Sequence, residues 1–178
     1  MGSSVSGLAT VVGVPAEFVT ELVGSLAARQ VTVATAESLT GGLLTALLTE
    51  VAGSSAVVRG GLVVYATELK HQLAGVDADL LADRGPVDPD VAAGLADGAR
   101  RRCGAEVGIG LTGVAGPDPQ NGIPVGTWFC AISGPGEHRD LRRGRPAVGG
   151  VPADRASIRA AAARAGLELL ANIAATQS

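Results

Sequence analysis

The segment from residue 31 to residue 51 constrains the fold of this chain most strongly, because it changes from strand to helix periodicity. Val31 to Ala36 is a short apolar run that predicts a buried strand, and Gly41 to Val51 carries leucines at helical spacing. The junction between them reads Glu37-Ser38-Leu39-Thr40-Gly41-Gly42. Ligands of α/β proteins bind at such junctions, beyond the carboxyl ends of strands. We therefore expect an α/β protein whose site begins at this junction.

Further strands and helices alternate along the chain. The sequence predicts helices over residues 15–30, 68–74, 88–102 and 154–174, strands over 61–65, 106–112 and 125–133, and an edge strand over 137–143. Hydrophobic residues make up 47% of the chain and aromatic residues only 2%, so the core must consist mainly of Val, Leu, Ala and Ile. We predict one α/β domain over residues 15–178, a three-layer sandwich of a mixed β-sheet with helices on both faces, after a flexible segment over residues 1–14.

The composition argues against several classes of function. A net charge of -3 and only 2% aromatic residues provide neither attraction for a polyanion nor a platform for stacked bases, so we predict no nucleic-acid partner. The sequence has no apolar run of about 18 residues and no signal-peptide pattern, which predicts a cytoplasmic protein without a membrane partner. Cys103 and Cys130 lack metal-ligand spacing, so we expect buried free thiols, no metal site and no cofactor.

One glycine pattern resembles a cofactor motif by spacing alone. Gly108, Gly110 and Gly113 match the dinucleotide-binding fingerprint, but they lie in a predicted strand that leads into a proline-rich connection over residues 113–124. The fingerprint requires a helix at that point. We therefore predict no Rossmann site, and we note that connections of this length are usually functional or disordered.

Ser38 is a candidate nucleophile because it lies where the predicted strand ends and the next helix begins. Backbone N–H groups are unpaired at such a position and can stabilise an oxyanion. Serine is also a preferred residue for capping a helix. The local sequence leaves both interpretations open.

Lys70 is the only lysine among 14 Lys and Arg residues. An amine can lose its proton when it is desolvated and can then activate a hydroxyl group, whereas a guanidinium group effectively cannot. Lys70 is therefore a candidate base. A solvated lysine on a helix surface is the alternative, and the local sequence does not decide between the two.

Two other sets of residues are candidates for binding a substrate. Arg155 and Arg159 are four residues apart on the final predicted helix, so both can face an anion, although a solvated helix face is the default. Thr112 and Gly113 end a predicted strand and can present a hydroxyl group and backbone amides. A simple turn explains that pair equally well.

Four ordered blocks together resemble the CinA C-terminal domain family, and the resemblance covers roughly residues 15–174. The blocks are Ala36-Glu37-Ser38-Leu39-Thr40-Gly41-Gly42, Gly60-Gly61-Leu62-Val63-Val64-Tyr65 with Lys70, Leu111-Thr112-Gly113-Val114-Ala115-Gly116-Pro117, and Pro124-Val125-Gly126-Thr127. The chain looks like a stand-alone form of this domain. The resemblance implies a nicotinamide mononucleotide deamidase, which forms nicotinate mononucleotide and ammonia.

The resemblance also implies roles for individual residues. Ser38 would be the nucleophile and Lys70 its base, with Tyr65 as a supporting catalytic residue and backbone amides from Thr40 to Gly42 or at Gly113 holding the oxyanion. The expected substrate-binding residues are Glu37, Thr40, Gly41, Gly42, Thr112, Gly113, Gly116, Arg155 and Arg159. Arg155 or Arg159 would bind the 5′-phosphate.

The expected partner is a small nucleotide substrate, and family members are commonly homo-oligomers. Two other functions stay open at this point. A non-catalytic module linked to competence or DNA damage need not keep Ser38 and Lys70 adjacent in space. A nucleotide-binding protein would keep the pocket but release no ammonia.

Overall fold

The computed structural model describes residues 6–134, 139–144 and 154–176. The helices are α1 (Ser6–Val12), α2 (Ala16–Ala28), α3 (Leu43–Thr49), α4 (Thr67–Gln72), α5 (Ala78–Arg84), α6 (Pro89–Cys103) and α7 (Arg155–Thr176), with a short 3₁₀ turn at Ser54–Ala56. The strands are β1 (Val33–Glu37), β2 (Val58–Val63), β3 (Val107–Gly113), β4 (Trp128–Ser133) and β5 (Arg139–Gly144).

The five strands form one mixed sheet in the order β2-β1-β3-β4-β5. β1 pairs in parallel with β2 and β3, whereas β4 is antiparallel to both β3 and β5. The three parallel strands therefore end at the same edge of the sheet, where Glu37 lies opposite Val63 on one side and Leu111 on the other. The segments that follow these three strands meet at this edge.

The sheet is covered by helices on both faces, which confirms the predicted three-layer α/β sandwich. Side chains alternate along a strand, so Val33 of β1 packs in the larger core cluster with α1, α2, α3 and α7, while Ala34 and Ala36 face the opposite way. Those two alanines pack with Val91 and Leu95 of α6. Branched aliphatic residues and alanine fill both layers, as the composition requires.

Gly108 and Gly110 have a packing role in this arrangement. A Cβ atom on Gly110 would lie 2.2 Å from the carbonyl oxygen of Ala92, and one on Gly108 would lie 2.0 Å from that of Ala96. The two glycines therefore allow α6 to lie directly on β3. The structure thus explains the glycine spacing without a cofactor.

The structure corrects several predicted boundaries. Residues 6–12, which lie in the segment predicted to be flexible, form α1, and Ala9 and Val12 are buried in the core. Residues 78–84 form a helix that was not predicted, and β2 begins three residues before the predicted strand. Among the described residues, no helix has both the length and the apolar character needed to cross a membrane.

Candidate active site

The junction between β1 and α3 is organised by the buried carboxylate of Glu37. Its Oε2 atom accepts hydrogen bonds from the amides of Gly42 and Leu44, both at 3.1 Å. Its Oε1 atom accepts hydrogen bonds from the amide and hydroxyl groups of Thr45, at 2.8 and 2.6 Å, and from the hydroxyl group of Thr35 at 3.3 Å. Glu37 thus satisfies amides at the start of α3 that would otherwise be unpaired.

Arg159 of α7 fixes the same junction from the other side. Its Nε atom donates to the carbonyl oxygen of Leu39 at 3.0 Å, and its Nη2 atom donates to that of Thr40 at 2.7 Å. Gly41 and Gly42 then turn the chain with φ angles of 62° and 91°, a region in which glycine carries no steric penalty. Glu37 and Arg159 together hold the turn that carries Ser38.

Ser38 and Lys70 are in direct contact. The Nζ atom of Lys70 lies 3.1 Å from the Oγ atom of Ser38, and it donates to the carbonyl oxygens of Val64 at 3.0 Å and Tyr65 at 3.3 Å. The two residues are 32 positions apart in sequence and meet because α4 follows β2, the parallel neighbour of β1. This geometry places an amine beside a hydroxyl group at the carboxyl edge of the sheet.

Burial alters the protonation of Lys70. The residue is only 1% exposed, and removing the ammonium group from water lowers the pKa of Lys70 from 10.5 to about 8, although the nearby Glu68 carboxylate acts in the opposite direction. A substantial fraction of the amine is therefore neutral at mildly alkaline pH. A neutral amine can act as a general base, which an ammonium group cannot do.

Ser38 and Lys70 lie on the wall of a cavity of about 290 Å³. The complete lining consists of Ser38, Leu39, Tyr65, Lys70, Pro86, Val87, Thr112, Gly113, Val114, Ala115, Gly116, Asp118, Gln120 and Arg155. Ser38, Lys70 and Thr112 are buried, whereas Asp118 and Arg155 are exposed. The cavity therefore has a deep end with the reactive pair and an open end with charged groups.

Arg155 and Tyr65 bridge the open end of the cavity. The guanidinium group of Arg155 donates to the carbonyl oxygen of Gly116 at 2.5 Å and to the Tyr65 hydroxyl group at 3.2 Å. Tyr65 is 60% exposed, so this bridge lies at the surface. At the deep end, Thr112 donates its hydroxyl hydrogen to the carbonyl oxygen of Pro86 at 2.6 Å and thereby connects β3 to the segment before α6.

Comparison with known protein families shows to which family the chain belongs. A family model described as the CinA C-terminal domain matches residues 16–174. The chain belongs to this family. The match includes every strand of the sheet and both residues of the Ser38–Lys70 pair.

Relatives of this CinA C-terminal domain are similar in sequence and in fold. A CinA-like protein from Frankia casuarinae is 46% identical over 151 residues, which cover 84% of this chain and 33% of the relative. A CinA-like protein from Anaeromyxobacter dehalogenans is 51% identical over 117 residues, which cover 64% of this chain and 28% of the relative. The chain thus spans about a third of the length of these curated relatives.

Solved structures show the same fold. The competence/damage inducible protein CihA from Agrobacterium tumefaciens matches with a TM-score of 0.81 and 34% identity over 89% of this chain and 94% of its own. The competence damage-inducible protein A from Klebsiella pneumoniae matches with a TM-score of 0.81 and 29% identity over 91% of this chain and 98% of its own. The α/β sandwich is therefore that of CinA-superfamily structures.

Several residues predicted to bind substrate have internal roles in this CinA domain. Glu37 and Thr40 are fully buried and do not line the cavity. The amide of Gly41 donates to the carbonyl oxygen of Ser38 and that of Gly42 donates to Glu37, so both amides are already paired in this structure. The guanidinium group of Arg159 is engaged with the carbonyl groups of the turn and does not line the cavity.

Asp118 and Gln120 line the cavity, although no sequence pattern pointed to them. They belong to the connection between β3 and β4, where Gln120 and Ile123 pair through two backbone hydrogen bonds of 3.1 and 2.8 Å. The dipeptide Asn121-Gly122 between them is the strongest sequence signal for such a two-residue hairpin. That signal was available but did not reveal which cavity the hairpin borders.

Proposed function

We propose that this CinA domain is an amidohydrolase in which Ser38 is the nucleophile and Lys70 its base, and that it deamidates nicotinamide mononucleotide. The observation that carries the proposal is the set of three partners around the Nζ atom of Lys70. The nucleotide itself comes from the resemblance to the family. The cavity provides independent support for a ligand of this kind.

The partners of Lys70 suit both of its protonation states: an ammonium group can donate to all three, and a neutral amine can donate to two of them and accept a proton from Ser38. A neutral amine has two hydrogens and one lone pair. The carbonyl oxygens of Val64 and Tyr65 can only accept hydrogen bonds, so they take the two hydrogens and leave the lone pair for the Ser38 hydroxyl group. The lowered pKa of Lys70 makes this state accessible near pH 8.

The cavity suits a ligand with an amide at one end and an anion at the other. The reactive pair lies at the buried end, and apolar groups of Leu39, Val87 and Val114 line the cavity together with it. An aromatic ring fits such walls. Arg155 at the open end is the cation available for a phosphate, because it lines the cavity and Arg159 does not.

The reaction would proceed through a covalent intermediate. Neutral Lys70 takes the proton of Ser38 while the Oγ atom attacks the amide carbon, and the carbonyl electron pair becomes an oxyanion. The Leu39 amide follows the nucleophile, lines the cavity and donates to no acceptor among the described residues, so it is our first choice for the oxyanion. Gly113 is a second candidate.

The remaining steps regenerate the enzyme. Protonated Lys70 gives its proton to the amide nitrogen, the C–N bond breaks and ammonia leaves an acyl ester on Ser38. Water then attacks the ester carbon while Lys70 accepts a proton from it. Collapse of this second intermediate breaks the ester bond, returns the proton to Ser38 and releases the carboxylate product.

The test is ammonia release from nicotinamide mononucleotide by the wild-type protein and by the Ser38→Ala and Lys70→Met variants. Both variants should lose at least about 100-fold in kcat/KM, since each removes a group that acts in the transition state. Ser25→Ala, which changes a serine of α2 outside the cavity, is the matched control and should retain activity. Circular dichroism should show that all proteins are folded.

Two results would contradict the proposal. A wild-type protein that binds the nucleotide without releasing ammonia would favour the nucleotide-binding function. A Ser38→Ala variant that keeps its activity would exclude this serine as the nucleophile.

A further inference from the structure

The connection between β3 and β4 carries a small hairpin that borders the candidate active site. Asn121 and Gly122 occupy its two turn positions with φ angles of 49° and 77°, as a type I′ turn requires. The two backbone hydrogen bonds between Gln120 and Ile123 close it. The backbone around Gln120 is therefore held in a defined conformation at the open end of the cavity.

Asp118 and Gln120 line this cavity, and their polar side chains have no hydrogen-bond or ion-pair partner of their own among the described residues. Arg155 lines the same open end but does not pair with Asp118, because its donors reach Gly116 and Tyr65. A carboxylate and an amide thus remain available to a ligand beside a guanidinium group.

We propose that Asp118 and Gln120 form the binding site for the vicinal 2′- and 3′-hydroxyl groups of the ribose. This inference rests on the proposed function, which places the carboxamide at Ser38 and the phosphate at Arg155. The ribose joins those two groups and therefore lies at the open half of the cavity. A carboxylate accepts from two hydroxyl groups at once, and an amide accepts from one while donating to the other.

The effect of removing the charge of Asp118 separates a bond to the ribose from mere proximity to the phosphate. A carboxylate beside a bound phosphate repels it, so proximity to the phosphate alone predicts that the Asp118→Asn variant binds the nucleotide equally well or more tightly. If the carboxylate holds the hydroxyl groups, the same variant binds the nucleotide more weakly.

The experiment measures binding by calorimetry in the Ser38→Ala background, in which the nucleotide is not consumed. The ligands are nicotinamide mononucleotide and its 2′,3′-dideoxy analogue. We expect the dideoxy analogue to bind about 10- to 100-fold more weakly, because hydrogen bonds to a charged group are lost. Adding Asp118→Asn should weaken the binding of nicotinamide mononucleotide and remove most of the difference in affinity between the two ligands. The control is Asp83→Asn, which changes an exposed carboxylate of α5 outside the cavity and should preserve that difference.

Three results would overturn the ribose site. The first is that the two nucleotides bind equally tightly. The second is that Asp118→Asn weakens the binding of both equally, which would assign the carboxylate to the pyridinium charge. The third is that neither nucleotide binds. If the wild-type protein releases no ammonia but binding still depends on the hydroxyl groups and on Asp118, the ribose site stands and the amidohydrolase proposal fails.

Discussion

Replacing Glu37 by glutamine should destabilise the protein strongly, although the substitution changes only one atom type. The carboxylate is fully buried and accepts five hydrogen bonds, three from backbone amides and two from threonine hydroxyl groups. A glutamine side chain offers one accepting oxygen and one donating NH₂ group. It cannot satisfy amides on both sides of the former carboxylate.

The magnitude follows from the better of the two orientations of this glutamine. If its oxygen faces Gly42 and Leu44, the NH₂ group faces the hydroxyl groups of Thr35 and Thr45, which can rotate to accept. The amide of Thr45 is then left without an acceptor, at a cost of about 1–3 kcal/mol, and two charge-assisted bonds become neutral ones, at about 1 kcal/mol more. We expect a loss of about 3 kcal/mol.

Urea unfolding followed by circular dichroism would measure the loss, and a thermal melt should show a decrease of about 6–12 °C in Tm. The matched control is Glu106→Gln. Its carboxylate accepts one exposed bond from the Thr32 amide at 3.0 Å, which a glutamine oxygen can replace, so the free energy of unfolding should change by less than about 0.5 kcal/mol. Equal, small losses in the two variants would refute the account of Glu37.

The remaining predictions concern the base, the turn and the sheet. The kcat/KM for the nucleotide should rise with pH to a plateau above about 8, because Lys70 must lose its proton before it can act as the base. At pH 6 it should be roughly 100-fold lower than on the plateau. A kcat/KM that does not change with pH would contradict the role of Lys70 as the base. Arg159→Met should lower kcat roughly 10- to 100-fold with little change in KM, since Arg159 positions the turn, and an effect confined to KM would instead indicate phosphate binding. Gly110→Ala should cost about 3 kcal/mol in urea unfolding, because its Cβ atom would lie 2.2 Å from the carbonyl oxygen of Ala92. Gly24→Ala should instead stabilise the protein by about 0.5–1 kcal/mol, because Gly24 of α2 has open space around it. Equal effects of the two substitutions on the free energy of unfolding would contradict the close packing at Gly110.

Periodicity predicted all five strands and most of the helices, but it missed the short helices α1 and α5. α6 begins one residue after the predicted start at Asp88, which caps the helix by accepting from the Asp90 amide. β2 was predicted to begin at Gly61, three residues after its actual start at Val58. A Cβ atom on Gly61 would lie 2.4 Å from the Thr45 hydroxyl group, so tertiary packing and not local preference requires glycine there.

The site could be predicted only where a residue type carried the signal by itself. Lys70 was conspicuous as the only lysine, and Ser38 by its place at a junction, but their contact depends on parallel pairing that spacing does not show. Arg159 was one of two arginines considered for the phosphate, because its helical spacing from Arg155 suggested one face. Its actual partners are backbone carbonyl groups 119 and 120 positions away, which no local pattern reveals.

The central claim, that Ser38 forms a covalent acyl intermediate, is tested most directly by mass spectrometry. The protein would be mixed with nicotinamide mononucleotide, quenched in acid within the first turnover and digested. We predict that the peptide containing Ser38 gains the mass of the nucleotide less that of ammonia, and that Ser38→Ala shows no adduct. Rapid ammonia release without an adduct on this peptide, at quench times shorter than one turnover, would contradict the mechanism.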